Sequence, residues 1–235
     1  MAAKLKLVYW GARGIMETAR MMCAISGTDF EDQRHGAPCT DASVVDANLG
    51  RMPALVTPSG VAIGQSGAIN FYVAQTQGFL GGSAEEAATI LSWADSLKEM
   101  LDVWSKLVPY GTEPTAEAFA AFFDNAEASD VTGAADGSKR AARAARWYLG
   151  RLERLTSSTP GFAVGNKISL ADVMLFRHFG DVVNNKELGY KAEPFGSSAK
   201  TEALLASFPK IKAIVENVRA NAKLQSYLAA RPQVA

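Results

Sequence analysis

Cysteine and histidine are scarce in this 235-residue chain, which has two of the first (Cys23, Cys39) and two of the second (His35, His178). They are too few and too poorly spaced for a disulfide framework or a metal site. Cys23 shares an apolar helix face with Ala19 and Met22 and reads as inert core, whereas Cys39 lies in a Pro-flanked loop. A charge imbalance is also missing, with 24 Lys+Arg against 24 Asp+Glu. The balance holds locally. Up to residue 82, Lys4, Lys6, Arg13, Arg20, Arg34 and Arg51 face Glu17, Asp29, Glu31, Asp32, Asp41 and Asp46. No part of the chain is basic enough to bind nucleic acid. No apolar run approaches the roughly 18 residues that span a bilayer. Lys4, Lys6 and Arg13 interrupt the only short apolar stretch near the start, so no secretory leader is expected. Internal repeats and low-complexity tracts are absent too. What remains is a cytoplasmic globular chain with a small-molecule or protein partner, and no metal, membrane or nucleic-acid role.

The hydrophobic pattern changes character near residue 82. Before it, short apolar runs alternate with turns. Lys4 to Tyr9 predicts a strand, Gly11 and Gly14 a turn, and Met16 to Ser26 a helix stopped by Gly27. Asp29 to Arg34 predicts a second strand. Ala54–Thr57 and Val61–Ile63 flank Pro58-Ser59-Gly60, a hairpin signal, and a helix follows to about Thr76. The order β-α-β-loop-β-β-α implies a small mixed sheet with helices packed on it. Gly78 to Ser83 is the linker. Beyond it no strand is expected. Ile90, Ala94, Leu97, Leu101, Trp104 and Val108 mark one helical face, with Trp93, Met100 and Leu107 a second seam. Residues 169–180 are apolar almost all round, as a central buried helix would be. Residues 1–82 thus form an α/β domain and residues 83–235 an all-α domain.

Three local patterns carry chemistry. In Leu7-Val8-Tyr9-Trp10-Gly11-Ala12-Arg13-Gly14 a strand runs into a glycine turn and a helix start. Tyr9 is there either a core aromatic or a hydroxyl at the mouth of a βα turn, where ligands of α/β units bind. In Arg51-Met52-Pro53-Ala54 a proline enters a strand where no ladder donor is needed. A cis Met52–Pro53 bond would turn the Met52 backbone outward toward an extended ligand, and the sequence leaves both isomers open. In Gly64-Gln65-Ser66-Gly67, Ser66 is the expected N-cap, with Gln65 just before it. The pair offers an amide, a hydroxyl and unpaired helix N–H groups suited to a carboxylate, or else is an ordinary cap.

Together and in this order, the motifs are those of a known family. The chain resembles the cytosolic glutathione transferases over nearly its whole length, closest to the sigma-like class that includes glutathione-dependent prostaglandin D synthases. Tyr9 to Glu17 matches the family's tyrosine–aromatic–x–x–Arg–Gly–x–x–Glu opening, Met52-Pro53 its cis-proline step, and Gln65-Ser66 its glutamine–serine pair. Gly165-Asn166 followed by Ser169-Leu170-Ala171-Asp172 matches its helical-domain motif, which also reads as a capping box.

The resemblance implies a thioredoxin-like domain followed by a helical one, and a homodimeric enzyme that conjugates glutathione to apolar electrophiles. Tyr9 would be the catalytic residue, its hydroxyl favouring the thiolate. Met52, beside Pro53, would pair with the cysteinyl unit, and Gln65 and Ser66 would hold the γ-glutamyl carboxylate. Glu99 would reach across from the partner subunit. Trp10, Met16, Met100 and Trp104 would line the co-substrate site between the domains, and Arg13, Ser169 and Asp172 would be structural. Two departures stand out. Residues 35–50 lack the tryptophan and lysine that hold the glycine carboxylate in the family, Thr40 and Val44 taking their places, so Arg51 becomes the nearest cation. Ile15 replaces an arginine found beside the tyrosine in prostaglandin-synthesising members. A non-catalytic binder of glutathione or hydrophobic ligands, and a glutathione-dependent isomerase or peroxidase, are the alternatives on the same fold.

Overall fold

A computed structural model describes residues 4–35, 42–125, 143–185 and 190–232. Cys39 and Thr40 lie outside the described residues. The first part of the chain runs β1 (Leu5–Trp10), α1 (Glu17–Ser26), β2 (Phe30–His35), α2 (Ala42–Val45), β3 (Ala54–Val56), β4 (Ala62–Gly64) and α3 (Ser66–Gln77). The four strands form one mixed sheet in the order β2-β1-β3-β4. β1 and β2 are parallel, and the β1–β3 and β3–β4 pairs are antiparallel. Leu5, Leu7, Val8, Ala54 and Leu55 bury the sheet's apolar side chains. α1 packs against α3, contributing Ala19, Met22 and Cys23 to the core. A short helical turn, Asp46–Asn48, extends α2 and abuts β4. Gly64 permits that approach, because a Cβ there would run into the Ala47 carbonyl and come within 2.7 Å of the Asn48 Cα.

The second part carries α4 (Ala84–Leu107), α5 (Ala116–Phe119, continued by a π-helical turn over Ala120–Asp124), α6 (Ala145–Leu155) and α7 (Leu170–Phe179). Then come β5 (Val183–Asn185), β6 (Tyr190–Ala192), α8 (Ser198–Ala206), α9 (Pro209–Arg219) and α10 (Ala222–Ala230). β5 and β6 pair as a small two-stranded sheet, a correction to the expectation of no strand beyond residue 83. Asn184 to Glu187 is an unbroken polar run and Tyr190-Lys191-Ala192 is too short a stretch of alternation to mark a strand. α4 buries part of each of the two expected seams. Ile90, Trp93, Leu97 and Met100 are the buried positions, while Leu107 is exposed. α7 is buried almost all round and packs on both α4 and α9. Its His178 lies inside, where burial and neighbouring Arg177 depress its pKa and keep the imidazole neutral. No helix among the described residues is long and apolar enough to cross a membrane.

Contacts divide the chain into two compact units. Residues 1–80, 185–190 and 220–235 make up the first, and residues 81–184 and 191–219 the second. The last helix, α10, thus packs on α1 of the first unit. The fastening is ionic: Arg231 Nη1 donates to Glu17 Oε1 at 2.6 Å, and the Tyr227 hydroxyl donates to the same oxygen at 3.0 Å. Glu17 has no exposed surface. Burial, reinforced by the Glu17 charge, raises the Tyr227 pKa and keeps its phenol protonated as a donor.

In the second unit, Ser169 and Asp172 form a capping box at the start of α7. The buried Asp172 carboxylate accepts from Ser169 N–H (2.9 Å), Ala163 N–H (2.8 Å) and the Ser169 hydroxyl. Asp172→Ala strands two buried amides, and we expect it to lower stability by about 2–4 kcal/mol. Urea unfolding measures the loss. Activity per folded molecule should not change.

Candidate glutathione site

Strand register brings the three motifs of the first part to one end of the sheet. Val8 pairs with Ala54, and Ala54 with Gly64. One step further along each strand stand Tyr9, Pro53 and Gln65, beyond the last paired residues of β3 and β4. In the parallel pair, Tyr9 is beside Arg34 and Trp10 beside His35, at the carboxyl ends of β1 and β2. That end is where α/β sheets bind ligands.

Tyr9 is half-buried and its hydroxyl lies against Gly14. Gly14 has φ of +45°, and a Cβ added there would come within 2.5 Å of the Tyr9 oxygen. The turn leading to it is held from below by Arg20, a side chain with no solvent exposure in α1. Arg20 Nη1 donates to the carbonyls of Ala12 (3.0 Å) and Arg13 (3.2 Å), and Nε donates to Asp32 Oδ1 on β2 (3.0 Å). The guanidinium carbon is 5.9 Å from the centre of the Tyr9 ring. Sequence reasoning missed Arg20, although a cation amid Ala19, Met21, Met22 and Cys23 is itself the signal of a buried ion pair.

The Met52–Pro53 peptide is cis. Met52's side chain packs on Val8, Val44 and Ala54, while its backbone stays outside the β1–β3 ladder. Asn48 braces this step from inside, its Nδ2 donating to the Pro53 carbonyl at 3.0 Å. Arg51 is exposed, with its N–H and its Nε both directed to the Asn48 carbonyl at 3.1 and 3.3 Å. Val44, at a position expected to help hold the glycine carboxylate, is buried in the core beside Val8.

The expectation of Ser66 as N-cap needs correction. Gln65 is the N-cap, Ser66 is the first helical residue, and no side chain caps the first turn of α3. Gln65 has φ 64° and ψ 125°, a conformation that non-glycine residues adopt only when the surrounding fold imposes it. It leaves the exposed Gln65 amide and the uncapped N–H groups of α3 at the same sheet end as Tyr9.

Residues 5–75 match the family described as glutathione S-transferase, N-terminal domain, and residues 117–231 match glutathione S-transferase, C-terminal domain. A probable glutathione S-transferase 7 from Caenorhabditis elegans is 30% identical over 227 residues, covering 97% of this chain and 96% of the relative. The chain belongs to the glutathione S-transferase family. As a member it is a transferase whose co-substrate is glutathione. S-crystallin 2 of Octopus vulgaris is a more distant relative, 24% identical over 96% of this chain and 95% of its own length. The fold recurs in a monomeric glutathione S-transferase of the hookworm Necator americanus. That structure has a TM-score of 0.66 and 24% identity, and the match covers 98% of each chain.

The transferase places the other expected residues as follows. Trp10 is exposed at the end of β1. Met16 and Met100, expected to face the co-substrate, are buried at 1% and 0% exposure and present no open wall. Both are flexible thioethers that fill core gaps. Trp104 sits in an aromatic cluster of the second unit, with Phe122 at 5.0 Å and Phe195 at 5.6 Å between ring centres. Glu99 is exposed and accepts from the Tyr148 hydroxyl at 3.3 Å. Burial and the Glu99 charge push the Tyr148 pKa up to about 12. Among the described residues no group of three or more His, Cys, Asp or Glu is placed to hold a metal ion.

Two outcomes follow from this geometry. Gly14→Ala forces either the turn or the Tyr9 ring to move, so urea unfolding should show a loss of about 1–3 kcal/mol while circular dichroism stays unchanged. Burial pushes the Cys23 thiol up to about 12. At pH 8 roughly one Cys23 in ten thousand is then ionised. A Cys39→Ser variant should give no reaction with Ellman's reagent until denaturant is added.

Proposed function

We propose that this transferase activates glutathione through the Tyr9 hydroxyl and conjugates it to apolar electrophiles. In this reading it is a sigma-like, tyrosine-type enzyme of cytoplasmic detoxification and works as a homodimer. The observation that carries it is the register Val8–Ala54–Gly64, which gathers Tyr9, Met52-Pro53 and Gln65-Ser66 at one sheet end. A thiol with pKa near 8.5 is mostly protonated at neutral pH, and each unit of depression requires about 1.4 kcal/mol. A hydrogen bond donated to a charged acceptor contributes about 1.5–3 kcal/mol, enough for one to two units. The Tyr9 O–H would donate to the sulfur, and the thiol proton would leave to solvent. With a chloronitrobenzene acceptor, the thiolate forms the new C–S bond and chloride departs with the C–Cl electron pair.

Each end of the tripeptide has a proposed holder. The Met52 backbone meets the cysteinyl unit, Gln65 and Ser66 take the γ-glutamyl carboxylate, and the partner subunit's Glu99 meets the γ-glutamyl amine. Arg51 takes the glycine carboxylate, because Val44 is buried and offers no charge there. Trp10 and Trp104 are the proposed aromatic contacts of the co-substrate. That same lack of charge at Val44 favours a second reading, a binder of glutathione or apolar ligands without turnover.

Tyr9→Phe should cut conjugation of chlorodinitrobenzene at least about tenfold while calorimetry shows unchanged glutathione affinity. Unchanged turnover removes Tyr9 from the mechanism, and no turnover in the parent protein supports the binder. Arg51→Ala should raise the KM for glutathione about tenfold or more with little change in kcat.

A further inference from the structure

The ionic fastening of α10 and the grip of Arg20 on the turn before Gly14 are one continuous assembly. Glu17 joins them. Its Oε2 meets Arg20 Nη1 at 3.3 Å, while its Oε1 receives Arg231 and Tyr227. Glu17, Arg20 and Arg231 are buried, Tyr227 and Asp32 are largely so, and on β2 Asp32 also accepts from Arg34 Nε at 2.8 Å. Buried charges tolerate few arrangements, because any displacement leaves one of them unpaired. The assembly ends on the carbonyls of Ala12 and Arg13. Those residues lead into Gly14, which seats the Tyr9 hydroxyl.

We propose that Arg231 and Tyr227 are positioning residues for Tyr9. They hold Glu17, Glu17 and Asp32 orient Arg20, and Arg20 fixes the turn that keeps the Tyr9 hydroxyl aimed at the glutathione sulfur. The proposal rests on the reading of Tyr9 as the thiol activator. Its logic is geometric: a hydrogen bond that strengthens as charge develops needs its donor placed within about half an ångström. A turn of three or four residues with glycines at Gly11 and Gly14 does not supply that rigidity by itself. Segments more than two hundred residues apart in sequence supply it instead (Glu17 to Arg231, a separation of 214).

A double-mutant cycle tests the proposal with the full-length protein. Steady-state kinetics with chlorodinitrobenzene are measured for Arg231→Ala, Arg231→Lys and Tyr227→Phe, each alone and combined with Tyr9→Phe. Arg231→Ala should lower kcat about five- to tenfold while the KM for glutathione stays within about twofold. Arg231→Lys should recover most of the loss. In the Tyr9→Phe background the same change should cost nothing further, because the residue acts through the missing hydroxyl. Tyr227→Phe removes one oxygen and should show a smaller effect of the same kind. It carries the test if Arg231→Ala does not fold. Equal losses in both backgrounds, a change in KM alone, or full activity of the single variants overturns the proposal while leaving Tyr9's role intact. If Tyr9→Phe itself retains full turnover, the thiol-activation reading fails and this proposal fails with it.

Discussion

A guanidinium sealed from water depends on close acceptors, and Arg20, bonded through Nε and Nη1, is that group in this fold. Removing such an ion from solvent costs several kcal/mol, which only close acceptors offset. Arg20 finds them on a neighbouring strand, on the turn after β1, and one helical turn back at Glu17. Glu17 in turn needs its own donors, which Tyr227 and Arg231 supply. The requirement to neutralise one buried charge therefore ties β1, β2, α1 and α10 into a single arrangement.

The site is then a matter of strand ends. β1, β3 and β4 stop in register, so the residues that follow or precede them emerge together. Three backbone irregularities gather at that edge: a left-handed Gly14, a cis Met52–Pro53 step and a Gln65 outside the usual regions. Beneath it the irregularities are braced from the interior, by Arg20 under the turn and Asn48 behind Pro53. A regular sheet thus carries an irregular rim, and the rim presents polar groups free of the ladder.

Much of this was legible in the sequence, where the signal is local. The strands from Leu5 to Gly64, α1, α3 and the buried α7 follow from short-range periodicity and turn residues. The position of Tyr9 at a βα turn follows from the glycines beside it. The conformation of Gln65 is not legible, because nothing in Gly-Gln-Ser marks a positive φ and Ser66 is the commoner type of cap residue. The β5–β6 pair is not legible because Asn184 and Asn185 break any alternation in the first strand and the second is only three residues long. Met16 and Met100 carry the right chemistry for an apolar wall, yet periodicity cannot tell a wall from a core. The Glu17–Arg231 contact was least legible of all, since no pattern within one segment reports a partner at the other end of the chain.

That last contact has a consequence for the order in which the molecule is made. Glu17 and Arg20 leave the ribosome early, but the donors that complete their neutralisation are encoded more than two hundred residues later. Until Arg231 emerges, Glu17 has Arg20 beside it but lacks the two donors that Tyr227 and Arg231 supply. The ion network of the first-made part is therefore completed last. A fragment ending at the linker near Gly81 carries Glu17 without those two donors.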